Sequence, residues 1–237
     1  MKKIVGIILG HLFVATCLLG VWSQKMNNEN LENQPNVIDK VDIKKLSTTV
    51  SCGDHYGCGT IYDDVDGHFV IVTAMHVLED YYSGVSAEIL VEFDNHEECS
   101  ATILKEEMDL DIVFLRTERS SISDEYYSVS DLTSNISISS ESSNNINSDN
   151  TLLPGQTIYF VDANTSDIYA GSIASPSVYS EDFGMDMIYC YCAVTPGMSG
   201  TGLFDEEGNY LGILLGGSDE AEAVCLDANS IKAAFLN

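Results

Sequence analysis

Beyond residue 46 the chain is a succession of short apolar or alternating runs separated by turn-forming residues: 46–50, 58–62, 68–72, 88–93, 101–104, 112–116, 157–162, 169–173, 187–194, 202–204 and 210–215. Such runs are too brief to carry the apolar stripe, sustained over several turns, that a core-facing helix needs. Bounded by Gly, Asp, Asn and Ser, they read as strands of an all-β barrel or sandwich. A hairpin joins 58–62 to 68–72 through Asp63-Asp64-Val65-Asp66-Gly67. That acidic turn has the wrong ligand spacing for an EF-hand, and turn geometry accounts for Gly67. Helical patterning is confined to a turn after His76 running to Asp80 and to residues 230–236, placed to cap the domain. No internal repeat stands out.

With 45% hydrophobic residues in 237, the chain can bury a substantial core in one large or two small domains. Met1-Lys2-Lys3 followed by the apolar run 4–22 has the basic and apolar parts of a secretory signal, with cleavage expected after Ser23. The run is also just long enough to cross a bilayer, so an uncleaved membrane tether through residues 4–22 is the alternative. Lipid attachment at Cys17 fits less well, because Thr16 stands where a smaller residue is usual. The expected location is extracytoplasmic, either secreted or anchored at the cell surface. Residues 24–45, polar and Asn-rich, read as a stalk, and the folded domain is expected over 46–237. Within it, residues 120–150 turn rich in Ser, Asn and Asp, as a partly ordered connection would.

Of seven cysteines, Cys17 would leave with a signal; Cys52, Cys58, Cys99, Cys190, Cys192 and Cys225 remain. An even count in an oxidising compartment predicts at least one disulfide, with connectivity open. A zinc site would have to use Cys52, His55, Cys58 and a fourth ligand, but no second paired cluster at ligand spacing occurs, so no metal is expected. The formal charge of −27 excludes nucleic acid as a partner, since binding phosphates requires clustered Lys and Arg. So much acid serves solubility and steers cationic substrates or partners.

Three segments carry chemistry: Val72-Thr73-Ala74-Met75-His76, Asp111-Ile112-Val113-Phe114-Leu115, and Pro196-Gly197-Met198-Ser199-Gly200. Acyl transfer at neutral pH needs a hydroxyl activated by an imidazole, and a carboxylate that fixes the imidazole tautomer and stabilises the cation it becomes. All five histidines precede Ser199, which excludes the chain order Ser, acid, His, and Thr201 breaks a G-x-S-x-G elbow. His76 is then the candidate base and Ser199 the candidate nucleophile. For the acid, Asp111 is preferred over Asp109: with both on one strand and facing one way, choosing Asp109 would leave Asp111 as an extra buried carboxylate. Gly197 lets the backbone turn so that its N–H and that of Ser199 point into one pocket, as stabilisation of an oxyanion requires.

In this order and spacing the three motifs resemble the trypsin-like (chymotrypsin-fold) serine peptidases, most closely the bacterial branch of high-temperature-requirement proteases and glutamyl endopeptidases. The resemblance covers about residues 50–236. It implies two six-stranded antiparallel β-barrels and a short C-terminal helix, with the N-terminal barrel over about 46–119, the linker over 120–150 and the C-terminal barrel over 151–237. It implies His76, Asp111 and Ser199 as catalytic residues and Gly197 and Ser199 as oxyanion donors. Val194 and Thr195 would line one wall of the specificity pocket, and Leu215 and Gly217 the wall opposite, on the strand that pairs with substrate. Thr201-Gly202 departs from the usual Gly-Pro, Met198 replaces a polar residue, and no Arg-Ile-Val-Gly-Gly activation site or PDZ module is expected.

A carboxylate that would select Lys or Arg is absent at the pocket base, where Ala193 or Val194 stands, and Leu214 replaces the histidine implied for glutamyl specificity. An apolar pocket for small or aliphatic residues is expected. The expected activity is hydrolysis of protein or peptide substrates without a cofactor, in an oligomeric state the sequence leaves open. The alternative is a binding module on a degenerate peptidase scaffold, against which the intact His, Asp and Ser argue.

Overall fold

A computed structural model describes residues 42–93, 96–119, 126–132 and 152–237. The expected export segment, nearly all of the stalk and most of the linker lie outside the described residues. Among the described residues, no helix is long and apolar enough to cross a membrane.

The first six strands are β1 Ser47–Cys52, β2 His55–Val65, β3 His68–Ala74, β4 Ile89–Glu92, β5 Glu98–Glu107 and β6 Ile112–Glu118. They close into an antiparallel barrel in the order β1-β2-β3-β6-β5-β4. The next six are β7 Thr157–Asp162, β8 Asp167–Ser180, β9 Met185–Tyr191, β10 Gly202–Phe204, β11 Tyr210–Ser218 and β12 Glu222–Asp227. They close as β7-β8-β9-β12-β11-β10, which is the same topology repeated without a sequence repeat. Closure removes exposed sheet edges. In β5 the pleat is plain: Cys99 and Ala101 are buried while Glu98, Ser100 and Thr102 face out.

Every run read from the sequence contains or overlaps a strand, but β12 was not foreseen. It is short, starts on an acid and takes its identity from pairing with β9 and β11. The β2–β3 hairpin is tighter than the sequence suggests. Its turn is Asp66-Gly67, with φ of 53° and 78°, as a two-residue type I′ turn requires. Asp63 and Asp64 therefore lie in β2, where Ser130 and Arg119 engage them.

The folded body starts before residue 46. A 3-10 helix, Ile43–Leu46, buries both of its end residues, and Tyr127 Oη donates to the Asp42 carbonyl at 2.6 Å. Within the expected linker, residues 126–132 are folded: Tyr126 is buried and stacks edge-on against Phe93 at 4.9 Å. The α-helices are α1, Glu79–Tyr82, a short turn of helix over residues 129–132, and, at the C-terminus, α2, Ala228–Leu236. The last starts at Ala228 rather than Ser230 because the Asp227 carboxylate caps the N–H groups of Asn229 and Ser230 at 2.9 and 3.1 Å.

The expected disulfide is corrected by the structure. Cys52, Cys58, Cys99, Cys190, Cys192 and Cys225 are all free and buried, and most pack as small hydrophobic side chains in the strands that carry them. Ile158, Phe160, Ile173, Ile188, Cys190 and Cys225 belong to one core cluster of the second barrel. The barrels share a further aromatic cluster, in which Tyr62 of β2 meets Phe114 of β6 at 5.7 Å, Phe235 of α2 at 5.2 Å and Tyr210 of β11 at 6.3 Å. Phe114 is fully buried there. Phe114→Ala is expected to lower unfolding free energy by about 3–5 kcal/mol, measured by denaturant titration at unchanged m-value.

Candidate active site

β3 and β6 are neighbours, and their register ends with Ala74 opposite Ile112. The next residues along β3 and the residue preceding β6 therefore meet, although His76 and Asp111 are far apart in sequence. The chain leaves β3 into a 3-10 helix, Met75–Leu78, which lifts His76 to the surface. Asp111 caps another 3-10 helix, Met108–Leu110, in a left-handed conformation (φ 53°) that Asp tolerates better than most residues. Three bonds follow. Met75 N–H donates to the Asp111 carbonyl at 2.8 Å, His76 N–H to Asp111 Oδ1 at 3.1 Å, and His76 Nδ1–H to Asp111 Oδ2 at 2.6 Å. The carboxylate so fixes the ring and assigns the proton to Nδ1, which leaves Nε2 to accept one. Residues 108–110 are helical, so the expected single strand carrying both aspartates is absent, and Asp111 is the one that bonds His76.

The segment carrying Ser199 is anchored to the first barrel by backbone. Cys58 N–H donates to the Ser199 carbonyl at 2.8 Å, and Thr60 Oγ1 donates to the Gly200 carbonyl at 3.3 Å. Gly200 has φ +90°, and a Cβ there would overlap the Cys58 carbonyl and stand 2.5 Å from Thr73 Oγ1 and 3.1 Å from Ala74 N. The Ser199 segment thus lies directly on the end of β3, two residues from His76. At Gly57, a Cβ would stand 2.5 Å from Val77 Cγ2 and 2.9 Å from the Ser199 carbonyl, so the residues following His76 and Ser199 itself share one junction.

Thr195-Pro196-Gly197-Met198 forms a turn closed by Met198 N–H to the Thr195 carbonyl at 3.2 Å, with Pro second and Gly197 third at φ +93°. That is type II geometry, which demands glycine at the third position. Tyr56, 57% exposed, lays its ring where a Cβ of Gly197 would be. Of the expected pocket residues, Val194 and Gly217 are in contact, because a Cβ on Gly217 would overlap Val194 Cγ2. Thr195 is exposed beside them. Leu215 corrects the expectation in part: its side chain is 2% exposed in the core, so it offers a pocket only backbone.

The three residues considered for zinc have separate surroundings. His55 Nδ1 is 3.2 Å from Asp80 Oδ2, Cys58 faces the Gly197 carbonyl and Cys52 is in the first barrel's core. Burial pushes the Cys58 thiol up to about 12. Sequence reasoning did not single out Tyr56 or Asn164, whose approach to Gly197 is tertiary and leaves no local pattern.

Two closed antiparallel barrels with a His–Asp pair and a serine on a glycine turn at their junction define the serine-peptidase class of fold. A family model, the trypsin-like peptidase domain, matches residues 57–213, and the chain belongs to that family. Among solved structures, it is similar to the serine endoprotease from Yersinia pestis, with TM-score 0.60 and 15% identity over 85% of this chain. The match spans 64% of the length of that structure. No curated protein matches.

Asp80 stabilises the turn ahead of His55. Its carboxyl lies below the usual range, first because Asp54 N–H donates to it at 2.9 Å and then because of His55. A depressed carboxyl contributes stability above its unfolded value and loses it as pH falls through the folded one. Asp80→Asn is therefore expected to lower the melting temperature at neutral pH and to flatten the fall below about pH 4, as scanning calorimetry across pH would show.

Proposed function

We propose that the protein is an exported serine endopeptidase that cleaves peptide bonds through an acyl-enzyme, in the bacterial branch that the motifs resemble. The observation that carries this reading is the paired engagement of His76 by Asp111, through ring and backbone, beside a serine whose own carbonyl is bonded to the barrel holding that pair. His76 Nε2 takes the Ser199 proton as Oγ attacks the scissile carbonyl, and Asp111 stabilises the imidazolium. The N–H groups of Gly197 and Ser199 receive the oxyanion. The imidazolium then protonates the leaving amine, and water, deprotonated by the same ring, releases the acid and restores Ser199. No cofactor enters these steps.

Val194 against Gly217 shortens the pocket for the residue preceding the scissile bond, which favours small or aliphatic side chains there. The acidic surface favours substrates with basic residues elsewhere. Export rests on the basic start and apolar run of residues 1–22, followed by a polar, Asn-rich stretch ahead of the folded body.

Peptide-library cleavage by wild type, Ser199→Ala and Val194→Gly tests the proposal. Cleavage after Ala or Val that disappears with Ser199→Ala is expected, and Val194→Gly should improve Leu or Phe over Ala by roughly tenfold or more. Cuts that persist without Ser199 would refute the mechanism, and a preference for Lys or Arg at the cleaved position would refute the pocket.

A further inference from the structure

The carbonyl of Gly197 is held by two donors from outside its own turn. Asn164 Nδ2–H reaches it at 3.1 Å and the Cys58 thiol at 3.4 Å. Asn164 lies in the turn between β7 and β8, remote in sequence from both. That turn is fixed by Asp162, a buried carboxylate at the end of β7 (5% exposed). Asp162 Oδ1 accepts the backbone N–H of Asn164 at 3.0 Å and its Nδ2–H at 2.9 Å, while the Asp162 carbonyl accepts Ser166 N–H at 2.7 Å. The amide of Asn164 has two hydrogens on nitrogen. One faces the carboxylate and the other the Gly197 carbonyl, so both neighbours being acceptors assigns the amide orientation. Asn164 Nδ2 also lies 3.6 Å from Cys58 Sγ.

Two lone pairs on the Gly197 oxygen thus meet two donors. Because burial raises the Cys58 thiol to about 12, it stays protonated and keeps donating across the pH range in which a peptidase works. The peptide unit joining Gly197 to Met198 is then fixed at its oxygen by Asn164 and Cys58 and at its nitrogen by the Thr195 carbonyl. On the other side, the Pro196 ring sets its own φ. Between these two fixed ends hangs the Pro196–Gly197 peptide, which carries the N–H proposed as an oxyanion donor. Glycine adds no side chain to resist rotation there, so the direction of that N–H depends on the clamps around it.

We infer that Asn164 is a positioning residue: it holds the 195–198 turn in the conformation that aims Gly197 N–H at the oxyanion, without touching substrate. The inference rests on the peptidase reading for its catalytic consequence, while the clamp itself is a statement about the turn alone. Asn164 is largely exposed, so replacing it removes donors without opening the core.

The test compares Asn164→Ala with Asn164→Asp, which keeps the shape and replaces the donor nitrogen with oxygen. Asn164→Ala is expected to melt within about two degrees of wild type and Asn164→Asp lower, because its carboxylate meets that of Asp162; both are expected to lose roughly tenfold to a hundredfold in kcat on a fluorogenic peptide, with KM within about twofold. Hydrogen exchange of the 195–199 segment, read by mass spectrometry, should be faster in both than in wild type. Unchanged exchange and kcat in both variants would overturn the inference. So would a loss in Asn164→Ala that Asn164→Asp restores, since that assigns the effect to packing. A wild type without Ser199-dependent hydrolysis would sink the peptidase reading, and exchange alone would then decide the clamp.

Discussion

The backbone of the Ser199 segment lies on the backbone of the first barrel, and every other feature of the site is arranged around that contact. Cys58 N–H to the Ser199 carbonyl, at 2.8 Å, is a hydrogen bond between segments from the two barrels. It is possible only because Gly200 brings no Cβ between them; any side chain there would strike the Cys58 carbonyl. A buried backbone bond is modest in net stabilisation, about 1 kcal/mol, but its groups cost more if left unpaired. The approach is therefore selected by the whole junction: Thr60 and Thr73 donate hydroxyls to the same strip of backbone, at 3.3 and 2.6 Å, and the shared aromatic cluster around Tyr62 closes the far side.

From that contact the division of labour follows. The first barrel supplies the imidazole and carboxylate from the ends of two paired strands, so their distance is set by sheet register rather than by flexible loops. The second barrel supplies the hydroxyl and the turn beneath it, held by Asp162 and Asn164 from one hairpin and Tyr56 and Cys58 from the other barrel. Charges are managed locally. Arg119 pairs with Asp64, Lys105 with Glu107 at 3.2 Å, and Arg116 lies against His68, so the few cations of the folded domain that these pairs include are committed to the first barrel's surface.

Much of this was legible in the sequence because β-runs and turn residues are local signals, and because His76, Asp111 and Ser199 stand in short segments of distinctive composition. The missed strand, β12, illustrates the limit: its edges are acidic, and only pairing on both sides makes Glu222–Asp227 extended. The cysteines illustrate another. Their even count suggested bridges, whereas the pleat turns them into the cores as free thiols, a choice made by neighbours in space. The preference for Asp111 over Asp109 rested on a shared strand, whereas the local chain is helical and Asp111 owes its position to a left-handed turn. Asn164 and Tyr56 had no signature at all, because their approach to Gly197 joins segments remote in sequence.

The most direct test of a shared site is the reaction with a peptidyl chloromethyl ketone matched to a small apolar pocket. The ketone carbon is attacked by a serine hydroxyl and the methylene, losing chloride, by the imidazole nitrogen next to it. Peptide mapping of wild type is predicted to find the inhibitor bonded to His76, the hemiketal to Ser199 having reverted on denaturation, with alkylation of His76 falling to background in Ser199→Ala. Adducts confined to cysteines, or His76 alkylated equally without Ser199, would contradict the account.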